Sequence, residues 1–132
     1  MFRSLALALV LSIGTPGCND VQRSSHATRA AADHAIRQGW IPSVLPESAL
    51  DIGESHNLDA NAGHGTFRFG PSDAGSFRSA MTPVSATERL RTQNIDRAGF
   101  EGRGYVFYKD AHFDIAVDWS RQVGEFWLHH SE

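Results

Sequence analysis

The clearest alternation of apolar and polar positions lies near the C-terminus. In residues 112–119, Phe113, Ile115, Val117 and Trp119 alternate with His112, Asp114, Ala116 and Asp118, the two-residue period of a strand with one buried and one wet face. The flanking segments 105–109 and 123–129 are aromatic and β-branched, and Asp110-Ala111 and Ser120-Arg121 supply short turns. Together they predict a three-stranded antiparallel meander. Upstream, 51–58 and 66–69 read as two more strands around a turn at 59–63, with Phe67 and Phe69 on one side and Thr66 and Arg68 on the other.

Helical spacing is confined to two places. Residues 27–38 are Ala-rich, with Ala31, His34, Ala35 and Gln38 on one face, Ala32 and Ile36 beside it, and Gly39 as a stop. Pro71 and Ser72 open a second, shorter helix to Met81, in which Phe77 and Met81 stand at i and i+4 and which Pro83 ends. Between the two, Trp40-Ile41-Pro42 and Leu45-Pro46 must run extended, because proline disfavours helical geometry in the residue before it. Trp40 is expected to pack the helix onto the sheet. From 84 to 104 Leu90, Ile95 and Phe100 stand among many polar residues, and the segment reads as a surface excursion with a short helical stretch. The sum predicts an α+β domain: an antiparallel sheet of about five strands with one or two helices over one face. Phe67, Phe69, Phe113, Ile115, Val117 and Trp119 are its expected core.

The first residues follow a different pattern. Arg3 precedes the apolar run 5–13, which gives way to small residues and a proline; this is the layout of an export signal over 1–17. The run is too short for a bilayer span, which needs about 20 apolar residues. Cys18 is the only cysteine, so it has no disulfide partner within the chain. Residues 18–26 are mostly polar and read as a tether, leaving 27–132 as a single domain.

Composition narrows the partners. Apolar residues make up 41% and charged residues 20%, a balance that supports a packed core and argues against disorder. The formal charge of -3 is spread along the chain with both signs interleaved, so nucleic acid is not an expected partner. Cleavage before Cys18 would remove Arg3 and no acid, making the mature chain one unit more negative.

Seven histidines make imidazole chemistry the natural place to look for a site. His56, Asp59 and His64 form the nearest approach to a cluster: a hairpin about 59–63 could bring the histidines together, although spacing indicates no third protein ligand for zinc. The segment 59–63 faintly resembles the start of a calcium loop, but its glycine falls fifth and position twelve is Gly70, so a hairpin turn explains it better. His129-His130 reads as a strand end. His112, Asp114 and Asp118 could form an acid–base patch, yet polar residues on a wet sheet face are what the alternation requires. Ser55 and His56 are adjacent in a strand and point to opposite faces, which excludes a nucleophile–base pair. Gly102-Arg103-Gly104 lacks the strand-to-helix setting of a phosphate loop. The charge of Arg89, Arg91, Arg97 and Arg103 is diluted by Glu88, Asp96 and Glu101, as in a solvated loop. No cofactor is expected.

Two strings of residues resemble known patterns. Thr15-Pro16-Gly17-Cys18 is similar to the lipobox of bacterial lipoproteins, with Thr15 and Pro16 where that pattern has an aliphatic and a small residue. Gly39-Trp40-Ile41-Pro42, Leu45-Pro46, Ser48-Ala49, Asp51-Ile52, His56-Asn57-Leu58-Asp59 and Phe67 with Phe69 resemble the shared segment of short bacterial lipoproteins of unknown function. The likeness spans residues 30–81. It implies export and an α+β fold and brings no catalytic residue with it. The resulting expectation is a lipoprotein acylated on Cys18 and held on a membrane outside the cytoplasm, acting as a non-catalytic binding or structural module of the cell envelope with a possible envelope protein partner. A soluble periplasmic product is the alternative location, and a small hydrolase or metal-binding protein centred on His56, Asp59 and His64 the alternative activity.

Overall fold

A computed structural model describes residues 20–129. The export signal at 1–17, Cys18 and His130 therefore lie outside the described residues.

The chain opens with a strand where a tether was expected. Strand β1 (Val21–Thr28) pairs antiparallel with β2 (Leu50–Asn57) along its whole length, in the register Val21↔Asn57, Ser24↔Glu54 and Thr28↔Leu50. The reading of 18–26 as an unpacked tether is thus corrected from Val21 onward. Few apolar side chains mark this strand, because its stability comes from the backbone ladder and from polar contacts to β2.

After β1 the chain turns, and helix α1 (Asp33–Arg37) is only five residues long. It is shorter than the helix expected over 27–38, since Ala27 and Thr28 are taken by β1. Its stop is the expected one: Gly39 sits at φ +86°, a left-handed conformation that costs glycine nothing. The segment that follows, expected to run extended, instead makes two turns, in which the amides of Leu45 and Ala49 donate to the carbonyls of Pro42 and Pro46, and it buries Ile41, Leu45 and Ala49. Arg29 fixes it from below, donating to the carbonyls of Leu45 at 2.8 Å and Ser43 at 2.9 Å.

Strand β2 carries a bulge between Leu50 and Gly53, with Asp51 at φ +49°, and from there Ile52, Glu54 and His56 all face inward. A turn returns the chain as β3 (Ala62–Arg68). Helix α2 (Ala74–Ala80) follows, burying Phe77, and then a two-residue strand β4 (Thr82–Pro83). Helix α3 (Arg97–Gly102) is capped by Asp96, whose carboxylate accepts from the amide of Gly99 at 3.0 Å. The meander β5 (Val106–Lys109), β6 (Phe113–Asp118) and β7 (Val123–Leu128) completes the chain.

All strand pairs are antiparallel, in the order β1-β2-β3-β7-β6-β5-β4. The α+β class and the C-terminal meander stand, but the sheet has seven strands rather than five. The additional two are β1 and β4, a polar edge strand and a very short one with a proline, neither of which carries the alternation that reveals a half-buried strand. The helix-covered face buries Ile52, Phe67, Phe69, Phe113, Ile115, Val117 and Phe126 against Ala32, Ala35, Ile41, Leu45, Phe77 and Met81. Trp119 packs against this core but stays half-buried, with its indole donating to the Tyr108 hydroxyl at 3.0 Å.

The other face is not uniformly wet. Every residue of β6 is buried, Asp114 and Asp118 included, at 1% and 2% exposure. The excursion at 84–104 lies over it: the ring of Phe100 meets those of Phe107 and Trp127 edge-on at 5.8 and 5.3 Å. This corrects two expectations, a solvent-facing row of His112, Asp114 and Asp118 and an ordinary solvated loop above it. Only His112 of that row is exposed. The arginines of the excursion act as its fasteners, Arg91 donating to the carbonyls of Asp110 and Phe113, and Arg97 to those of Glu88 and Ser85.

Candidate functional site

The pairing of β1 with β2 places Gln22, Ser24 and His26 on the same face as His56, Glu54 and Ile52. Of these, Ser24, His26, Glu54 and His56 form a polar network under Trp40. The Glu54 side chain is 2% exposed. It accepts from the Ser24 hydroxyl at 2.9 Å and from Nδ1 of His56 at 2.9 and 3.0 Å on its two oxygens. Nε2 of His26 lies 2.9 Å from Ser24 Oγ. Because the single Ser24 proton goes to Glu54, that imidazole nitrogen is the donor of the pair. The indole of Trp40 lies flat on His56, with centroids 3.9 Å apart and planes within 9°. Trp40 therefore packs on the sheet through an imidazole.

Chemically the network is a buried carboxylate held by two donors, with a second imidazole behind one of them. Such an arrangement satisfies polar groups that would otherwise be costly to bury. Ser24 is engaged on both sides, donating to Glu54 and accepting from His26, which ties its hydroxyl into the link between β1 and β2. Ser24, His26 and Glu54 were missed in the sequence. The one available signal was the spacing of Ser24 and His26 at i and i+2, which has meaning only once 21–28 is known to be a strand.

The residues singled out by sequence do not converge. His56 and His64 sit on paired strands in the register His56↔Gly63 and Ser55↔His64, which sends the two rings to opposite faces. His64 instead meets Glu125, Nε2 to Oε1 at 3.0 Å, and the ring of Trp127 at 5.3 Å. Asp59 is exposed in the β2–β3 turn. Among the described residues, no three His, Cys, Asp or Glu side chains lie close enough to share a metal ion. Ser55 and His56 face opposite ways, as adjacent strand residues must. A shallow groove of about 280 Å³ passes the open end of β2 and β3, touching Val21, His56, His64, Thr92, Trp127 and Leu128.

The two buried aspartates serve the turns and the excursion. Asp114 accepts from the amide of Thr92 at 2.7 Å, with Arg91 at 3.5 Å. Asp118 accepts from the amides of Ser120 and Arg121 and from both their side chains. The Arg121 amide and guanidinium, with the Ser120 hydroxyl, lower the Asp118 carboxyl to about 2. At the base of α2, burial raises the Asp73 carboxyl, but donation from the Ser48 hydroxyl and amide outweighs it and leaves the group below its ordinary value.

The model of a family described as the YbbD head domain matches residues 20–68. The match begins just before β1 and stops at the last residue of β3, so it takes in the whole Ser24–Glu54–His56–Trp40 network and none of the C-terminal meander. Neither a curated protein nor a solved structure matches the chain. No helix among the described residues is long and apolar enough to cross a membrane.

Proposed function

We propose that this chain is a binding or structural module of the bacterial cell envelope, exported by residues 1–17, acylated on Cys18, and working without catalysis of its own. The observation that carries this reading is the way the sheet divides. Over β5 to β7 both faces are covered, and the polar groups inside are spent on turns and on the excursion. Over β1 to β3 the second face is open and polar, with Arg23, Ser25, His64, Thr66 and Arg68 exposed. The groups best suited to acid–base work, Glu54 and His56, face the other way and hold β1 to β2 under Trp40. Similarity of residues 20–68 to a head domain supports a modular role for that half. The lipobox-like residues at 15–18 support the anchor.

Two measurements test the proposal. A Cys18→Ser variant should leave the membrane fraction; continued membrane partitioning would remove the acyl anchor from the account. A photo-crosslinking side chain at Thr66, on the open face, should give a discrete adduct in intact cells. That adduct should disappear with Arg68→Glu. The absence of any adduct at Thr66 would sink the binding role of this face.

A further inference from the structure

We infer that the end of the sheet formed by Val21, the β2–β3 turn and the close of β7 rests directly on the lipid surface, so that the strands stand on end over the membrane. The inference rests on the proposed acylation of Cys18 and adds to it an orientation. Only Asn19 and Asp20 separate Cys18 from the first residue of β1. Fully extended, the three steps from Cys18 to Val21 span about 11 Å at ~3.6 Å per residue. An acylated cysteine lies where acyl chains meet headgroups, and each headgroup layer is about 5–8 Å deep. Val21 is then at the outer edge of the headgroups, with no slack for the domain to lift away.

The residues at this end suit that position. The amide of Leu58 bonds the carbonyl of Asp20, and Val21 pairs with Asn57, so the N-terminal entry and the β2–β3 turn share one rim. Val21 and Leu58 are 38% and 44% exposed, and the remaining large exposed apolar residue among those described, Val106, pairs with Val117 near the opposite end. Trp40, stacked on His56, and Trp127, beside His64, flank the rim half-buried, one on each face of the sheet. Tryptophan favours the membrane–water interface, where its ring is half in each medium. The rim segments 20–21, 57–61 and 128–129 carry Asp20, Asp59 and His129 but no Lys or Arg, and the neighbouring Arg91 is spent on the carbonyls of Asp110 and Phe113 and on Asp114. The surface that fits is therefore a zwitterionic one, and anionic headgroups should not strengthen the contact.

The test uses the full acylated protein, reconstituted in phosphatidylcholine vesicles that carry a nitroxide lipid in the headgroup region. With the Cys18 thiol blocked by its lipid, an environment-sensitive fluorophore can be attached at Leu58→Cys, or at Glu47→Cys as a control at the far end. Lipid quenching should be several-fold stronger at position 58 than at 47, and unchanged when phosphatidylglycerol is mixed in. A flexible Gly-Ser insert of about 20 residues between Asn19 and Asp20 should bring the two positions level. Equal, weak quenching at both positions in the parent protein overturns the orientation while an acyl mass on Cys18 preserves the anchor. A label at 58 that is shielded yet unquenched by lipid assigns the rim to a second copy of the chain, and also overturns it. Absence of acyl mass on Cys18 removes both readings together.

Discussion

Gly65 and Gly124 show how single residues set the spacing of this sheet. Gly65 pairs with Phe126, and Gly124 with Phe67, so each ring lies across the bare backbone of the glycine opposite. A β-carbon at Gly65 would fall 2.1 Å from Phe126 Cζ and 2.4 Å from the Gly53 carbonyl oxygen. Gly65→Ala should therefore destabilise the domain by about 1–3 kcal/mol or more in denaturant unfolding. Gly75→Ala, where nothing lies within 4 Å, should be stabilising by about 0.5–1 kcal/mol because alanine is the better helix former. Asp118 gives a second residue-scale expectation. Its carboxyl is lowered from 3.8 to about 2 in the folded protein, so the stability it contributes is present above the ordinary carboxylate value and is lost as pH falls through the lowered one. Thermal melts of Asp118→Asn should lie below those of the parent at neutral pH, and the gap should close as the medium is taken from about pH 4 to about pH 2. A gap that persists unchanged in acid would mean that the charge of Asp118 is irrelevant to the turn.

At the scale of elements, legibility followed apolar content. Strand β3 and the meander were visible because Phe67, Phe113, Ile115, Val117 and Phe126 fill inward positions, β2 showed one such residue in Ile52, and α2 was visible because Phe77 and Met81 fall four apart. Strand β1 was invisible because the positions it turns to that face are Gln22, Ser24 and His26, of which Ser24 bonds Glu54 and His26 bonds Ser24, rather than a greasy core. The same polar network should make β1 sensitive to small changes. Ser24→Ala leaves the buried Glu54 carboxylate one donor short and should destabilise by about 1–3 kcal/mol. Amide exchange should then accelerate along β1 before it does so in β6. Equal acceleration in both strands would show that β1 is not held separately by this contact.

Taken whole, the molecule has two unlike halves joined at β3 and β7. One half shows a polar open face, and the other is sandwiched between the helix-side core and the excursion. Phe100 is the point at which the excursion grips, through Phe107, Tyr105 and Trp127. Phe100→Ala should cost about 2–4 kcal/mol if the excursion is as firmly packed as that, with a red-shifted tryptophan emission and new binding of a hydrophobic dye. An unaltered emission spectrum would show that Trp127 does not depend on the excursion for cover. What the sequence determined alone was everything governed by nearest neighbours and short periods: the alternation that makes β6, the glycine that stops α1, the opposite facing of Ser55 and His56. What only the tertiary structure decided was which faces are covered and which polar groups meet. Burial of Asp114 and Asp118 depends on a segment more than ten residues away folding back over them, and the union of Ser24 with Glu54 depends on pairing across 30 positions of chain. A strand's period states that its two sides differ; it carries no record of what lies on top of either.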